Sequence, residues 1–230
     1  MPNAADPVAQ HAKKVMAMRY FLLGREYHAA LAAMEFARGL TTGFRKNGVD
    51  PSFSHQIYIG AYLRTILPGL MHKEETLATV FLHDVCEDHD VGFEEIAARF
   101  GDRIARSTRL LTKKHRGVAV PYETYFSGMA GDPIASLVKG ADRAHNIFTM
   151  SAAGWTIDKQ TTYLDEVDRW FLPMLKTARR SFPQQEPAYE NVKTMLAVQS
   201  APIRLTLEHA RLYGPTSGQE GSPESAAPTP

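Results

Sequence analysis

Residues 75–90 of this 230-residue chain, ETLATVFLHDVCEDHD, place a histidine and several carboxylates inside an otherwise apolar segment. The apolar residues surround the segment on nearly all sides, which predicts a central, buried helix. His83 and Asp84 are adjacent in its middle, and Glu87 and Asp88 follow one turn later. Because burying an unpaired carboxylate costs several kcal/mol, something must compensate these charges.

A divalent cation would compensate them directly. Imidazole nitrogen beside carboxylate oxygen suits Mn, Fe, Co or Zn better than Ca. In a continuous helix, Glu87 lies over His83 and Asp88 over Asp84, where either carboxylate could orient ligands or handle a proton. The spacing does not decide which of the two takes the proton. For the His-Asp dipeptide taken alone, the alternative is a structural pair that caps a neighbouring helix.

Two further segments favour the functional interpretation. A basic turn, RKNG at residues 45–48, leads to His55 at the start of a new helix. The segment KGADRAHN at residues 139–146 opens a polar stripe at helical spacing. The members of this stripe are Lys139, Asp142, Asn146 and Thr149. Because the stripe carries a carboxylate amid predicted core helices, we interpret it as functional.

Elsewhere the apolar spacing is also helical. Asp132 and Pro133 predict an N-cap and a first helical residue, opening a helix that runs to about Thr149. Residues 159–181 and 187–212 form two more long periodic segments, and alternating strand patterns bounded by turn dipeptides are missing. The sequence therefore predicts an all-α bundle of about eight to ten helices.

Composition indicates one globular domain, with 44% hydrophobic and 22% charged residues. We place it at residues 7–213, between disordered ends at residues 1–6 and 214–230. Lys plus Arg number 26 against 25 Asp plus Glu, so the net charge of +1 argues against nucleic acid or a membrane as partner. One cysteine, and no apolar run of membrane-spanning length, favour a cytoplasmic protein.

Common catalytic motifs are missing from the sequence. It contains no G-x-G-x-x-G, no G-x-x-x-x-G-K-[ST] and no G-x-S-x-G pattern. Dinucleotide binding, P-loop chemistry and α/β-hydrolase catalysis therefore lose their usual support. We interpret the basic run at residues 113–116 either as a solvated face or as cations that attract an anionic ligand, and the segment RGVAVP that follows could act as a lid.

Three motifs in order, a histidine followed by HDVCED and KGADRAHN, resemble the HD superfamily of metal phosphohydrolases. More narrowly, they resemble the hydrolase domain of the RelA/SpoT type, which acts in the stringent response and removes the 3′-pyrophosphate from the alarmones (p)ppGpp. The resemblance spans about Arg38 to Leu175. It implies an HD-domain helical bundle acting as a stand-alone small hydrolase. Where the family has leucines, this chain has Gly140 and Ala144.

The resemblance also implies roles for individual residues. It implies that a divalent metal ion, which we expect to be Mn²⁺, is bound by His55, His83, Asp84 and Asp142. It assigns Glu87 and Asp88 to catalysis around the attacking water. It places near the nucleotide Arg45, Lys46, Lys139, Asn146 and Thr149. Arg143, beside Lys139, is a further candidate cation for a highly charged substrate.

The expected reaction is hydrolysis of (p)ppGpp to GDP or GTP and pyrophosphate. One alternative is an HD phosphohydrolase of another nucleotide, such as the 2′-phosphate of NADPH or a nucleoside monophosphate. The other is a catalytically idle module that binds nucleotide. The expected partner is a small phosphorylated nucleotide, and a homodimer is left open. For His145 two readings stay open: it holds a metal ligand from behind, or it is an ordinary buried histidine.

Overall fold

A computed structural model of the chain describes residues 6–150 and 154–213. Its helices are α1 Pro7–Gly24, α2 His28–Leu40, α3 Ser54–Thr65, α4 Lys73–Leu82, α5 Val85–Asp88, α6 Phe93–Phe100, α7 Asp102–Leu111, α8 Tyr122–Ala130, α9 Pro133–Thr149, α10 Ile157–Glu166, α11 Leu172–Ser181 and α12 Glu186–Tyr213. Short 3₁₀ turns lie at Leu67–Gly69 and Pro183–Gln185, and a π-helical turn lies at Val167–Phe171. The two strands are β1 Lys114–His115 and β2 Val118–Ala119.

The all-α prediction is confirmed, since the structure is 79% helical. The periodic segment at residues 159–181 corresponds to α10 and α11, joined through the π-helical turn, and the segment at residues 187–212 corresponds to α12. Counting α10 and α11 as one helix and leaving out the single turn α5, the described residues contain 10 helices, at the upper end of the predicted range.

The predicted central helix is confirmed in its position but not in its length. Every residue from Thr76 to Leu82 is buried, and α4 packs against α2, α3, α7 and α9. We expected one helix across residues 75–90, and this is wrong. The helix ends at Leu82, and α5 begins only at Val85. The His83 side chain donates to the Val80 carbonyl, which competes with the backbone bonding of a continuing helix.

The helix that carries the second motif begins as predicted. The Asp132 carboxylate accepts hydrogen bonds from the backbone N–H groups of Ile134 and Ala135, and Pro133 occupies the first turn. The Ser107 hydroxyl donates to the same carboxylate, which ties α7 to the start of α9. From this fixed start, α9 runs to Thr149 through the interior of the bundle.

The segment that we interpreted as a solvated face or lid forms the small hairpin β1–β2. Arg116 and Gly117 turn the chain with positive φ angles of 47° and 86°. The Nδ1 atom of His115 lies 2.9 Å from the Cys86 carbonyl oxygen, and Arg116 pairs with Asp90 at 3.1 Å. These contacts hold the hairpin against α5.

Residues 1–5 and 214–230, which make up most of the predicted disordered ends, lie outside the described residues. Asp6, which we included in the disordered N-terminus, is described and caps α1 by accepting a hydrogen bond from the Val8 N–H. No helix among the described residues combines the length and the apolar character needed to cross a membrane.

Gly140 lets α9 pack closely against α11 and α12. A Cβ atom there would lie 2.7 Å from Val192 Cγ1 and 3.2 Å from Leu175 Cδ2. The family's leucine would not fit this contact, so its replacement by glycine follows from how the later helices pack. Gly140 is buried within this helix contact and does not line the cleft described below.

We expect Gly140→Ala to lower the free energy of unfolding by about 1–3 kcal/mol, because overpacking at a rigid β-branched neighbour forces backbone shifts. Gly39→Ala in α2 is the matched control, since a Cβ there meets nothing within 4 Å. This control should be neutral or stabilising by up to ~1 kcal/mol. Urea unfolding of both variants checks the prediction, and equal stability of the two would contradict it.

Candidate active site

Four side chains from different parts of the chain meet at one point inside the bundle. His55 lies in the first turn of α3, His83 and Asp84 lie at the break between α4 and α5, and Asp142 lies in the middle of α9. His55 Nε2 is 3.0 Å from Asp142 Oδ1, and His83 Nε2 is 2.9 Å from Asp84 Oδ2. The structure thus brings together all four residues predicted as metal ligands.

Three of these residues have the spacing of a metal-binding group. One ligand atom from each of His55, His83 and Asp84 lies within 4.8 Å of the others. Asp142 lies beside this group, with its Oδ1 atom 3.0 Å from His55 Nε2 and 3.9 Å from His83 Nε2. Its part in holding a metal stays a prediction. Both histidines and Asp142 are buried, whereas the Asp84 side chain is 38% exposed. Asp84 therefore forms the side of the cluster that faces the solvent.

The His83 ring shows what this cluster is suited to hold. Its Nδ1 atom donates to the Val80 carbonyl oxygen at 2.7 Å, which fixes the ring and leaves Nε2 pointing at the carboxylates. Nε2 is buried, and among the described residues it has no hydrogen-bond partner of acceptable geometry. A buried nitrogen that faces two carboxylates fits a site that takes up a cation or a proton.

The charged groups of the cluster shift one another's pKa values. Burial alone would lower the pKa of His83, but the neighbouring Asp84 carboxylate and then Asp142 raise it to about 9. Burial would raise the pKa of Asp84, yet the charge on His83 keeps it below its ordinary value. Burial lowers the pKa of His55. The cluster therefore keeps its carboxylates ionised and gains from positive charge placed between them.

Asp142 is held by polar groups on both oxygens. Lys139 Nζ lies 3.0 Å from Oδ2, and the Asn146 amide donates to Oδ1 at 2.7 Å. Burial would raise the pKa of Asp142, but Lys139 and then His55 hold it well below its ordinary value. Burial would lower the pKa of Lys139, but Asp142 holds it well above its ordinary value. The pair is therefore ionised.

His145 lies behind His55. The two Nδ1 atoms are 2.8 Å apart, so one ring donates a hydrogen bond and the other accepts it. Burial, followed by His55 and Arg45, lowers the pKa of His145 to about 3, so this ring is neutral. In the tautomer in which His145 accepts, His55 carries its proton on Nδ1 and presents the Nε2 lone pair to the cluster. Of our two readings, the contact supports the one in which His145 holds a ligand from behind.

The cluster opens into a cleft of about 540 Å³. Its walls come from the loop after α2, the start of α3, the α4–α5 break, α9, and the segment that leads into α10. The predicted site residues that line it are Arg45, Lys46, His55, Asp84, Asp88, Lys139, Asp142, Arg143, Asn146 and Thr149. His83 lies beneath the floor of the cleft, and Glu87 does not line it.

The predicted nucleotide-binding residues differ in whether their side chains already have hydrogen-bond partners within the protein. Lys46 is exposed at the cleft, and Arg45 donates to Asn146 at a long 3.3 Å. Arg143 is committed, because it donates to Glu166 at 2.7 Å and to the Tyr163 carbonyl at 3.1 Å. Its guanidinium therefore holds α9 against α10.

Thr149 also has a local partner. Its hydroxyl donates to the His145 carbonyl oxygen at 3.1 Å, within the same helix. The side chain still lines the cleft, near its rim. Its assignment to the nucleotide therefore stays a prediction.

The two predicted catalytic carboxylates lie in different surroundings. Asp88 lines the main cleft together with Asp84. Burial, followed by the Asp84 and Glu87 charges, raises its pKa. Glu87 accepts a hydrogen bond from the Lys113 N–H at 3.0 Å and lines a smaller adjoining cleft of about 250 Å³. Both residues lie in α5, after the break in the helix, and Asp84 and Asp88 line the adjoining cleft as well. Of the two predicted catalytic carboxylates, only Asp88 also lines the main cleft.

Sequence reasoning missed the aromatic part of the cleft. Phe44, Trp155 and Tyr163 line it, and Trp155 meets the Tyr163 ring edge-on at 5.0 Å. Lys46 and Lys159 approach the Trp155 ring at 5.7 and 4.5 Å. Trp155 lies outside the three motifs, so their spacing gave no signal for it. The chain has only two tryptophans, and this rarity was the one signal in the sequence that pointed to Trp155.

Comparison with known proteins supports the resemblance. No protein-family profile matches the chain. The chain is 32% identical over 149 residues, 60% of its length, to a probable guanosine-3′,5′-bis(diphosphate) 3′-pyrophosphohydrolase of Synechocystis sp.. It is also 32% identical over 123 residues, 51% of its length, to a protein of Aquifex aeolicus named guanosine-3′,5′-bis(diphosphate) 3′-pyrophosphohydrolase. The aligned parts cover 19% and 17% of those two relatives, so the chain matches about a fifth or less of their length.

A solved structure supports the fold. The solved protein is described as a metazoan ortholog of SpoT that hydrolyses ppGpp. The present structure superimposes on it with a TM-score of 0.53 at 20% sequence identity. The match covers 71% of this chain and 93% of that one. The predicted resemblance to the RelA/SpoT-type hydrolase domain is thus confirmed.

We expect His145→Ala to weaken the binding of a divalent cation about 10- to 100-fold, the usual effect of removing a partner that orients a ligand. His145→Asn is the matched variant, because the Asn oxygen can take the place of Nδ1, and it should restore most of the affinity. Calorimetric titration of metal-stripped protein with Mn²⁺, and separately with Zn²⁺, measures the effect. Unchanged affinity in a folded His145→Ala protein would contradict the orienting role.

Proposed function

We propose that the chain is a metal-dependent pyrophosphohydrolase that removes the 3′-pyrophosphate of (p)ppGpp, giving GDP or GTP and pyrophosphate. The observation that carries the proposal is a cluster of two histidines and two aspartates, three of them buried, at the floor of a cleft with a basic rim. The names of the Synechocystis and Aquifex relatives point to the same reaction. We place the activity in the cytoplasm, in line with a single cysteine that is buried and free.

The charge distribution of the cleft suits a substrate with two pyrophosphate groups. Arg45 and Lys46 line the cleft at its loop wall, and Lys139 lies deeper, beside Asp142. A protein whose net charge is only +1 must concentrate its cations to attract such an anion. The arrangement supports binding with the nucleoside toward the aromatic wall and a pyrophosphate toward the cluster.

The donor set supports binding of one divalent ion, for which we propose Mn²⁺. The residues that would hold it are His55, His83, Asp84 and Asp142. When bound, the ion would polarise the phosphoryl group and acidify a water molecule. Imidazole and carboxylate donors together suit a transition metal better than Ca²⁺. Because Mn²⁺ is a weaker Lewis acid than Zn²⁺, a protein base beside the water becomes useful.

Asp88 is the carboxylate that we assign to this base. It lines the same cleft as Asp84, and its raised pKa brings it closer to the range in which a carboxylate takes and returns a proton. Glu87 accepts a hydrogen bond from the Lys113 N–H in the adjoining cleft, a position that supports a role in shaping the hairpin side of the site. The sequence left the choice between these two open, and the proposal for Asp88 rests on their different positions.

The decisive experiment measures product release from a small panel of nucleotides. With Mn²⁺ present, we expect pyrophosphate from ppGpp and no orthophosphate from NADPH or nucleoside monophosphates. Asp84→Ala and Asp142→Ala should lower the rate by more than the roughly 100-fold that loss of an outer partner can cost. Asp90→Ala is the matched control, because this exposed aspartate of the same segment pairs with Arg116 in the hairpin and does not line the cleft.

Each outcome decides between the proposal and its alternatives. Orthophosphate from NADPH or from a monophosphate alone would assign the other phosphohydrolase function. Nucleotide binding without turnover of any panel member would assign an idle binding module. Loss of activity in Asp90→Ala equal to that in Asp84→Ala would remove the special role of the cluster. Circular dichroism of each variant ensures that only folded proteins are compared.

The two tryptophans allow a separate test of the aromatic wall. Trp170 stacks on Phe126 in a different groove. The variant Trp170→Phe therefore keeps Trp155 as its only tryptophan, whose fluorescence can be excited selectively. We expect GDP to change the fluorescence of Trp170→Phe and to leave that of Trp155→Phe unchanged. If wild-type protein hydrolyses ppGpp while GDP leaves Trp170→Phe unchanged, the aromatic wall is not the nucleoside site. The hydrolytic proposal would survive that result.

A further inference from the structure

A second basic pocket lies apart from the cleft. It has a volume of about 480 Å³ and is formed by the end of α1, the end of α3, the following 3₁₀ turn and the start of α4. Three cations line it, Arg25, Arg64 and Lys73, together with the rings of Phe21 and Tyr27. Its size is within the usual range of small-molecule sites, which starts at about 300 Å³.

The three cations of this pocket differ from most arginines of the structure in their ion pairing. Among the described residues, no aspartate or glutamate forms an ion pair with Arg25, Arg64 or Lys73. Glu26, next to Arg25, is exposed and likewise forms no ion pair within residues 6–150 and 154–213. Most other arginines of the structure do pair with acidic groups, so a pocket lined by three such cations is unusual in this chain.

The acidic residues that follow Lys73 are used elsewhere. Glu74 accepts hydrogen bonds from the N–H groups of Ala29 and Ala30, at 2.7 and 3.3 Å, and so caps the start of α2. Glu75 lies 3.6 Å from Arg103. Neither carboxylate lines the pocket, which therefore keeps its positive charge.

The cations are also positioned. The guanidinium of Arg64 lies 4.6 Å from the centre of the Phe21 ring and that of Arg25 lies 5.9 Å from it, so one aromatic ring supports both. Their places near the ends of α3 and α1 are favourable to cations. Lys73 differs, because it occupies the first turn of α4, where the helix dipole disfavours a positive charge. An anion between the three would relieve this unfavourable placement.

The pocket and the metal-binding group lie at opposite ends of the same two helices. In α3, His55 is in the first turn and Arg64 in the last, which separates them by about 14 Å at 1.5 Å per residue. In α4, Lys73 begins the helix and His83 caps its end, a separation of about 15 Å by the same rise. An anion bound among Arg25, Arg64 and Lys73 therefore does not occupy the cleft.

We propose that this pocket is a second binding site, for a small phosphorylated molecule. Two guanidiniums supply planar pairs of N–H donors that match phosphate oxygens, and the lysine supplies a point charge. The rings of Phe21 and Tyr27 give the ligand an apolar surface beside its phosphate. The site is independent of the proposed hydrolysis, because none of its lining residues belongs to the cleft.

Calorimetric titration with inorganic pyrophosphate tests the site. EDTA is present, so that binding through a metal does not contribute. We expect wild-type protein to show a class of sites that Arg64→Ala combined with Lys73→Ala weakens at least tenfold. Arg99→Ala is the matched control, because Arg99 also lies over a phenylalanine, Phe36, but is paired with Glu95. This control should bind pyrophosphate as the wild type does.

A second set of measurements separates the pocket from the cleft. Arg45→Ala combined with Lys46→Ala should leave the pocket's class of sites in place, and the pocket variant should keep its ppGpp hydrolysis. Equal pyrophosphate binding by wild type and by the folded pocket variant would overturn the proposal. Absence of any binding that survives the cleft substitutions would overturn it as well.

Discussion

The carboxylate of Asp142 remains ionised inside a helical bundle, and the surrounding residues are arranged to keep it there. Lys139 and Asn146 come from the neighbouring turns of the same helix, and His55 reaches it from α3. Removing one partner would leave a buried charge without compensation, which is far more costly than losing an exposed ion pair. The position of α9, and with it the shape of the cleft, therefore depends on this one charged group.

This arrangement divides the polar residues of α9 into two groups. Lys139 and Asn146 donate hydrogen bonds to Asp142, and Arg143 donates to Glu166 of α10. The cations that remain free to meet a ligand come instead from the loop after α2, where Lys46 is exposed. A polar stripe on a buried helix can thus act mainly to hold one ligand of a cluster in place.

The sequence was sufficient for the features that depend on local chemistry. The cap at Asp132 and the buried character of α4 follow from residue types at fixed spacing, whereas the grouping of His55, His83, Asp84 and Asp142 came from the family resemblance. It was insufficient where a side chain competes with the backbone or where distant segments meet. The break at His83 depends on a side-chain hydrogen bond to Val80, which periodicity does not reveal.

The same limit explains the other differences. Trp155 lines the cleft from the segment just before α10, and no local pattern in the sequence indicates that it does so. Gly140 departs from the family pattern because α12 approaches α9 at that point, a contact between residues far apart in the chain. Both features are set by tertiary packing, whereas periodicity reports only one element at a time.

The short turn between α4 and α5 positions the side chains of His83 and Asp84 so that both can bind the same ion. In an unbroken helix their side chains would diverge by about 100°, but the turn brings His83 Nε2 and Asp84 Oδ2 to within 2.9 Å of each other. Because folding has already fixed these two side chains, they lose little further conformational freedom when they bind a cation. Lengthening the turn by one residue would disrupt that pairing while leaving the hydrophobic contacts of α4 intact.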